Sequence, residues 1–418
     1  MTPSNCGPPV VTGLGTALPE HSMTQDEAVE LAQQICCRTE AERSLIRVLY
    51  RRSGVRQRYT ALPHKIAFDY LDQPIAAAAA RALDEEETVD ADRAIALGNG
   101  RVDEPAEAAG LLEEPEALRP NGPTTGQRME FYRASAPPLA LRASAAALAA
   151  AQTEPAAITH LVTVSCTGFF APGIDVALIE GLGLPRTVER IHVGFMGCHG
   201  AINGLQAADA IIRARPASRV LLCAVELCSL HYCFEWEPSR AVGNAVFADG
   251  AAAMVIEAAP PAATNGAAAS EIGQGAAPRW RIAATGSCLI PNSTDDMTWR
   301  IGDRGFEMYL SPAVPDVIKK ELRPWLEAWL GQQGVTIESV GSWAVHPGGP
   351  RILSAVEEAL GLPRAATATS REILAAVGNM SSPTVLFIID RLQAAGAPRP
   401  CVALGFGPGL TAEAALFV

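Results

Sequence analysis

ALIEGLGLPR, residues 177–186, and AVEEALGLPR, residues 355–364, are one pattern used twice. Each reads as a helix with an apolar face, stopped by glycine and followed by Leu-Pro, which cannot continue it. The likeness extends outward. LVTVSCTG from Leu161 parallels SWAVHPGG from Ser342, Gly197–Cys198 parallels Gly378–Asn379, and the run from Val220 parallels the run from Cys401, each at a spacing of 181 residues. GAAAMVI from Gly250 and EAALFV from Glu413 close the two sets. Three segments sharing one spacing are hard to reach by chance, so the chain reads as a tandem duplication of a β-α-β module.

Short β-rich runs alternate with helical stretches through both copies, the signature of an α/β protein. The strand candidates are residues 160–165, 190–194, 220–226, 252–256, 342–345, 401–406 and 414–418, with helices such as 201–213 and 385–393 among them. The expected division is a first half over 1–257, a linker or exposed loop over 258–279 rich in Ala, Gly and Pro, and a second half over 280–418. An acidic, low-complexity insertion occupies about 84–123.

The chain has 418 residues, enough for a sizeable core, and a formal charge of −12, which argues against a general nucleic-acid binder. No apolar run approaches the ~20 residues of a membrane span. The N-terminus lacks the basic-then-apolar layout of a signal peptide, so a cytoplasmic protein is expected. Ten cysteines are irregularly spaced, without paired CxxC motifs, so neither a zinc site nor a disulfide framework is expected.

The duplication narrows the search for chemistry. Cys198 and Asn379 fall at equivalent turns of the two halves, and His346 falls opposite Ser165. If the halves pack about a pseudo-twofold axis, the three side chains converge. Cys198 follows the run RIHVG and opens a helix, whose unpaired N–H groups favour a thiolate. His346 ends a strand and leads into PGGP, a sharp turn at the sheet edge. Asn379 stands just before Ser381, Ser382 and Pro383, a helix start. Taken singly, each also fits a plain structural role: a buried cysteine, a core histidine, a turn asparagine. GFGPG, residues 405–409, leads from strand to strand rather than into a helix. It is therefore no dinucleotide fingerprint, and suggests backbone lining a cavity, with Gly407 and Pro408 at its wall.

GFMGCHGAINGL, WAVHPGGPRIL, GNMSSPTVLFIIDRL and GFGPGLTAEAALF, in this order and spacing, resemble the type III polyketide synthases, the chalcone synthase-like enzymes. The resemblance runs from about Gly13 to Val418, the low-complexity segments excepted. It implies a thiolase-like, five-layered αβαβα fold and a homodimer. It also implies that Cys198 takes a starter acyl group from a coenzyme A thioester. His346 keeps Cys198 ionised and, with Asn379, binds the malonyl-CoA carbonyl while carbon dioxide leaves. The enolate attacks the Cys198 thioester, and repetition grows a chain that cyclises to a pyrone, resorcinol or related product. Decarboxylation needs donors to the developing oxyanion rather than a base, so no metal or redox cofactor is expected.

The resemblance assigns further positions. Phe247 matches a phenylalanine that gates the coenzyme A tunnel, and Met308 stands where a second is usual. Cys166, Thr167, Cys228, His231 and Trp299 fall on cavity-lining positions. Several of these differ from the plant enzymes and look like the bacterial branch. Ala171 departs from a methionine that reaches into the partner's cavity. Arg51, Arg52, Arg56 and Arg58 form the one dense basic run, placed where guanidinium groups would hold coenzyme A phosphates. Two other readings remain at this point: a β-ketoacyl synthase III-like enzyme making a single condensation, and a non-catalytic acyl- or CoA-binding relative.

Overall fold

The computed structural model describes residues 7–63, 122–259 and 280–418. The acidic insertion, apart from Gly122 and Pro123, and the linker beyond Ala259 lie outside the described residues. The first part runs β1 (Pro9–Ala17), β2 (His21–Thr24), α1 (Gln25–Ile35), α2 (Glu40–Arg52), β3 (Gln57–Thr60), α3 (Thr125–Ala151), β4 (His160–Ser165), α4 (Ile174–Leu182), β5 (Glu189–Gly194), α5 (Gly200–Ala214), β6 (Arg219–Leu227), α6 (Pro238–Val246) and β7 (Asp249–Ala258). The second runs β8 (Ile282–Leu289), β9 (Met297–Gly302), β10 (Gly305–Leu310), α7 (Val314–Gly331), β11 (Ser342–Val345), α8 (Pro350–Leu360), α9 (Ala368–Val377), α10 (Pro383–Ala394), β12 (Cys401–Gly407) and β13 (Thr411–Phe417).

Two sheets follow the same plan. One has the order β1-β7-β6-β4-β5 and the other β8-β13-β12-β11. In each, the outer two pairings are antiparallel, and the next strand joins in parallel: β4 to β6, β11 to β12. The fifth strand has no counterpart in the second sheet. Where the first half has ERIHVG at β5, the second has ATSREILAAV, rich in helix-favouring Ala, Leu and Glu, and forms α9 instead.

Helices fill the layers. α5 and α10 lie between the sheets, and their buried residues Ile202, Leu205, Phe387 and Ile388 join Val162, Met254, Cys401 and Phe417 in one core. α3 and α4 cover the outer face of the first sheet, and α7 and α8 the outer face of the second. Helix, sheet, helix, sheet, helix is the thiolase-like arrangement that the resemblance implied.

β1 and β8 were not among the strand candidates, and their glycines explain why. A side chain at Gly13 or Gly15 would stand 2.3 Å from the backbone of Ala147 in α3. At Gly286 it would stand 2.5 Å from the indole nitrogen of Trp329 in α7. These glycines let helices sit directly on the strands, yet in sequence they look like strand breakers.

Candidate active site

Both predicted turns are made by a glycine in the left-handed region, placed just before the functional residue. Gly197 has φ +72° and Gly378 φ +76°. An added Cβ would stand 2.4 Å from Pro408 Cδ at Gly197, and 2.7 Å from Ala248 Cβ at Gly378. Gly407 closes on the same turn: a Cβ there would meet His199 Cδ2 at 2.3 Å and the Met196 carbonyl at 2.7 Å. Gly407 and Pro408 therefore back the nucleophile turn.

Cys198 sits on a single tight turn, Gly197–His199, at the start of α5, as its sequence position predicts. Asn379 is pinned by its backbone: its N–H donates to Val246 O at 2.8 Å, and its carbonyl accepts from Ala248 N at 2.9 Å. Its side-chain oxygen accepts from the Ser381 backbone N–H at 2.8 Å. That fixes the amide, leaving the N–H₂ end free for the Cys198 sulfur; Asn379 and Ser381, the latter held at φ +56°, both favour the ionised Cys198. The duplication thus brings Cys198 and Asn379 into contact.

His346 arrives from the second sheet. Its N–H donates to Leu404 O at 2.7 Å, one residue past the β11–β12 pairing. The adjoining part of β12 packs on His199, and His199 is the charge that most affects the His346 ring. The imidazole is 1% exposed, and neither ring nitrogen has a hydrogen-bond partner among the described residues. Two unpaired buried nitrogens cost free energy and need a reason. A substrate carbonyl supplies one.

Burial, and secondarily His199, push His346 from its ordinary 6.5 down to about 3, so the ring is neutral. Burial pushes the Cys198 thiol up to about 11, against the opposing hydrogen bonds from Ser381 and Asn379. Burial therefore disfavours the charged form of each group.

Glu226, at the end of β6, carries much of the scaffold and was missed in the sequence. It is fully buried, and accepts from Cys166 N at 2.9 Å, Thr167 N at 3.0 Å, Thr167 Oγ1 at 2.6 Å and Ser382 Oγ at 2.8 Å. It ties the SCTG loop of one half to the GNMSS loop of the other. Thr167 spends its hydroxyl there, and Cys166 lies with its sulfur 3.4 Å from Ser381 Oγ. A signal existed: Glu226 is the single charge in the apolar run from Val220 to Leu227.

A funnel of about 250 Å³ is lined by Cys228, His231, Phe247, Trp299, Phe306 and Met308, with Arg240 and Glu307 among its polar residues. Five of these six were expected from the sequence; Phe306 was not. A second, much smaller space of about 80 Å³, lined by Met23, Ala28, Leu31, Leu62 and Phe234, shares Cys228 and Phe247 with it.

The basic run divides. Arg51, Arg52 and Arg56 are exposed. Arg58 is not available to a phosphate. It is 4% exposed and its guanidinium donates inward, to Asn244 O at 2.6 Å, Ala245 O at 2.7 Å, Phe247 O at 3.1 Å and Gln25 Oε1 at 2.5 Å. The period-2 register of β3 turns it to the inside, where it closes the carbonyl end of α6. Among the described residues no cluster of His, Cys, Asp or Glu could hold a metal ion, and no helix is long and apolar enough to cross a membrane.

With this geometry in place, the chain was compared with known proteins. Residues 106–260 match the family described as chalcone and stilbene synthases, N-terminal domain, and residues 281–418 match its C-terminal domain. The chain belongs to this family. Among chalcone and stilbene synthase relatives, the alpha-pyrone synthesis polyketide synthase-like protein of Mycobacterium tuberculosis is 34% identical over 72% of this chain and 75% of its own length. The 1,3,6,8-tetrahydroxynaphthalene synthase of Streptomyces peucetius is 31% identical over 96% of this chain and 91% of its own. The crystal structure of PKS-I from the brown alga Ectocarpus siliculosus superposes with a TM-score of 0.79 at 28% identity, covering 98% of each chain. The protein is a type III polyketide synthase, and so an acyltransferase.

Proposed function

We propose that this chain loads an acyl-CoA starter on Cys198, extends it by decarboxylative condensation with malonyl-CoA, and releases a cyclised pyrone, resorcinol or related aromatic product. The observation that carries the reading is the Asn379 amide near the Cys198 thiol, its oxygen already bonded, together with a buried His346 whose ring nitrogens have no partner among the described residues. As the Cys198 sulfur attacks the starter thioester, its proton passes to a His346 ring nitrogen and then to the departing coenzyme A sulfur. The ring returns to neutrality with one N–H. That N–H and the Asn379 N–H₂ then hold the malonyl thioester oxygen as carbon dioxide leaves. Removing one such preorganised donor typically costs ~10²–10³ in rate. The enolate carbon attacks the Cys198 thioester carbonyl, and the thiolate leaves.

The names of the relatives support pyrone or naphthalene-type products. The apolar space beyond Cys228 and Phe247 favours an aliphatic acyl starter over a small aromatic one. Arg51 and Arg52 end α2, which packs on α6 at the funnel wall; with Arg56 they suit the coenzyme A phosphates. Phe169, Ile191, Phe195 and Met196 are exposed around edge strand β5 (50, 43, 36 and 41%), an apolar surface beside a strand whose outer edge has no partner among the described residues, which suits a second copy of the chain. Ala171 has no side chain to send across such an interface. Incubating the purified protein with malonyl-CoA and a series of acyl-CoA starters, read by mass spectrometry, tests the reading. Products enlarged by repeated two-carbon ketide units are expected. Condensation only with carrier-bound malonate, stopping after one unit, would overturn it.

A further inference from the structure

The end of β12 is bare where a second imidazole fills the space. A Cβ at Gly405 would stand 3.1 Å from His199 Cβ, and one at Gly407 would stand 2.3 Å from His199 Cδ2 and 2.5 Å from its Nε2. His199 is the residue after the nucleophile, on the turn Gly197–His199, and is 3% exposed. The same stretch of β12 holds the other imidazole of the site: Leu404 O accepts the His346 backbone N–H at 2.7 Å. Residues 404–407 therefore set the spacing between the nucleophile turn of the first half and the histidine of the second.

His199 is also held along its own helix. Its Nδ1 lies 2.7 Å from the side-chain oxygen of Asn203, one turn further along α5. Asn203 favours the ionised form of Glu413 on β13, a carboxyl that is 4% exposed and accepts from Ser287 Oγ at 2.6 Å. Only the N–H₂ end of an amide can favour a carboxylate, so the oxygen is left for His199. An amide oxygen only accepts, so Nδ1 carries the ring proton. Burial disfavours a second one. Among the described residues, the ionisable groups around this ring are His346 at the end of β11, Cys198 on its own turn with Glu226 acting on that thiol, and Glu413 behind Asn203. Residues 404–407 of β12 and the first turn of α10, which also pack on the turn, carry no charge.

We propose that His199 is a positioning residue for starter loading: pinned to Asn203 and packed into the bare end of β12, it fixes the nucleophile turn against the strand that holds His346, and as a neutral ring it leaves His346 free to take the Cys198 proton. The inference rests on the reading above, in which that proton passes through a His346 ring nitrogen. A charge on His199 opposes a charge on His346, so protonating His199 slows the step in which His346 becomes an imidazolium. It does not slow decarboxylation, where the neutral His346 faces a developing negative charge that a nearby cation favours. The two steps thus answer to a charge on His199 in different ways, whereas a residue that merely supported the fold would affect both alike.

The test uses the purified full chain. Loading is read as acyl mass on Cys198 after rapid mixing with saturating acyl-CoA. Decarboxylation is read as acetyl-CoA formed from malonyl-CoA in a Cys198→Ala background, where no condensation follows. His199→Gln keeps a donor for the Asn203 oxygen and takes up no proton; His199→Phe keeps the bulk and loses the bond. Loading by His199→Gln should match the unaltered protein near pH 8 and exceed it by up to about ten-fold as pH falls from 6.5 to about 5, since an imidazolium beside a base moves it by about one unit. Loading by His199→Phe should be about five-fold slower near pH 8, the net strength of one neutral hydrogen bond, with the same relative gain at low pH. Decarboxylation should show no such gain in either variant. A ratio of Gln-variant to unaltered loading that stays near one down to about pH 5 would overturn the proposal, as would loading and decarboxylation changing together in both variants. Where His199→Phe does not fold, the Gln ratio decides. A protein that neither takes acyl mass on Cys198 nor decarboxylates malonyl-CoA overturns the functional reading itself.

Discussion

Arg58→Met separates a structural arginine from a substrate-binding one. The substitution keeps most of the aliphatic reach and removes a guanidinium that donates to four acceptors. Ala245 O keeps a second donor, Gln25 Nε2 at 3.0 Å. Asn244 O, Phe247 O and Gln25 Oε1 lose the guanidinium donor that each now has. At ~1–3 kcal/mol for each buried acceptor left unpaired, the gross loss over the three is roughly 3–9 kcal/mol. Part is returned, because the buried cation no longer has to be desolvated, so a net destabilisation of ~2–4 kcal/mol is expected. The damage should also reach the site, since the same helix end presents Phe247 and, through Val246 O, the Asn379 backbone. Urea denaturation should show a lowered midpoint with an unchanged slope, and turnover should fall in the fraction that remains folded. Unaltered stability with only a raised KM for malonyl-CoA would show Arg58 to be a phosphate ligand after all and refute the inward role.

The exposed arginines should behave in the opposite way: Arg51→Ala with Arg52→Ala should raise KM for coenzyme A thioesters about ten-fold, more at low salt, and leave the urea midpoint unchanged. The rate of malonyl-CoA decarboxylation should show no inflection near pH 6.5, because His346 stays neutral down to about 3. The linked stability has a definite sign. Below 6.5 the unfolded chain takes up a proton that the folded ring refuses, so His346 makes the fold lose stability as pH falls from 6.5 toward 3, and contributes no slope above 6.5. A His346-dependent step in rate at pH 6.5 would contradict this. Glu226→Gln puts donors where Cys166 N, Thr167 N and the Thr167 hydroxyl also donate. It should lower stability by ~2–4 kcal/mol and slow condensation, read by denaturation and by turnover; equal stability would mean that the two loops are held by other contacts.

Much of this arrangement was legible in the sequence, for a physical reason. β4 and β11 occur at the predicted residues because apolar, β-branched runs bounded by turn residues leave little choice. Cys198 and Asn379 could be paired in advance because a duplication makes equivalent turns face each other. What escaped depends on the partner across a contact. The glycines of β1 and β8 show their purpose only against α3 and α7. Arg58 looks like its exposed neighbours until the strand register turns it inward. His231 could be placed at the cavity but not recognised as a bridge, since its partners, Thr167 O and Phe306 N, are backbone atoms that carry no sequence signal. The effect of burial on Cys198 and His346 was hidden for the same reason: desolvation belongs to the packed interior, while the sequence displays only the local helix start.

The central claim is a division of labour, with Cys198 carrying the chain and His346 with Asn379 decarboxylating the extender. The direct measurement is mass spectrometry of Cys198→Ala beside the unaltered protein, each given malonyl-CoA and an acyl-CoA starter, with the protein digested to locate any acyl group. The unaltered protein should carry acyl mass on the peptide containing Cys198 and release extended products; the variant should carry none and release none, yet still convert malonyl-CoA to acetyl-CoA and carbon dioxide. Acyl mass on the Cys166 or Cys228 peptide, or extended products from Cys198→Ala, would contradict the assignment.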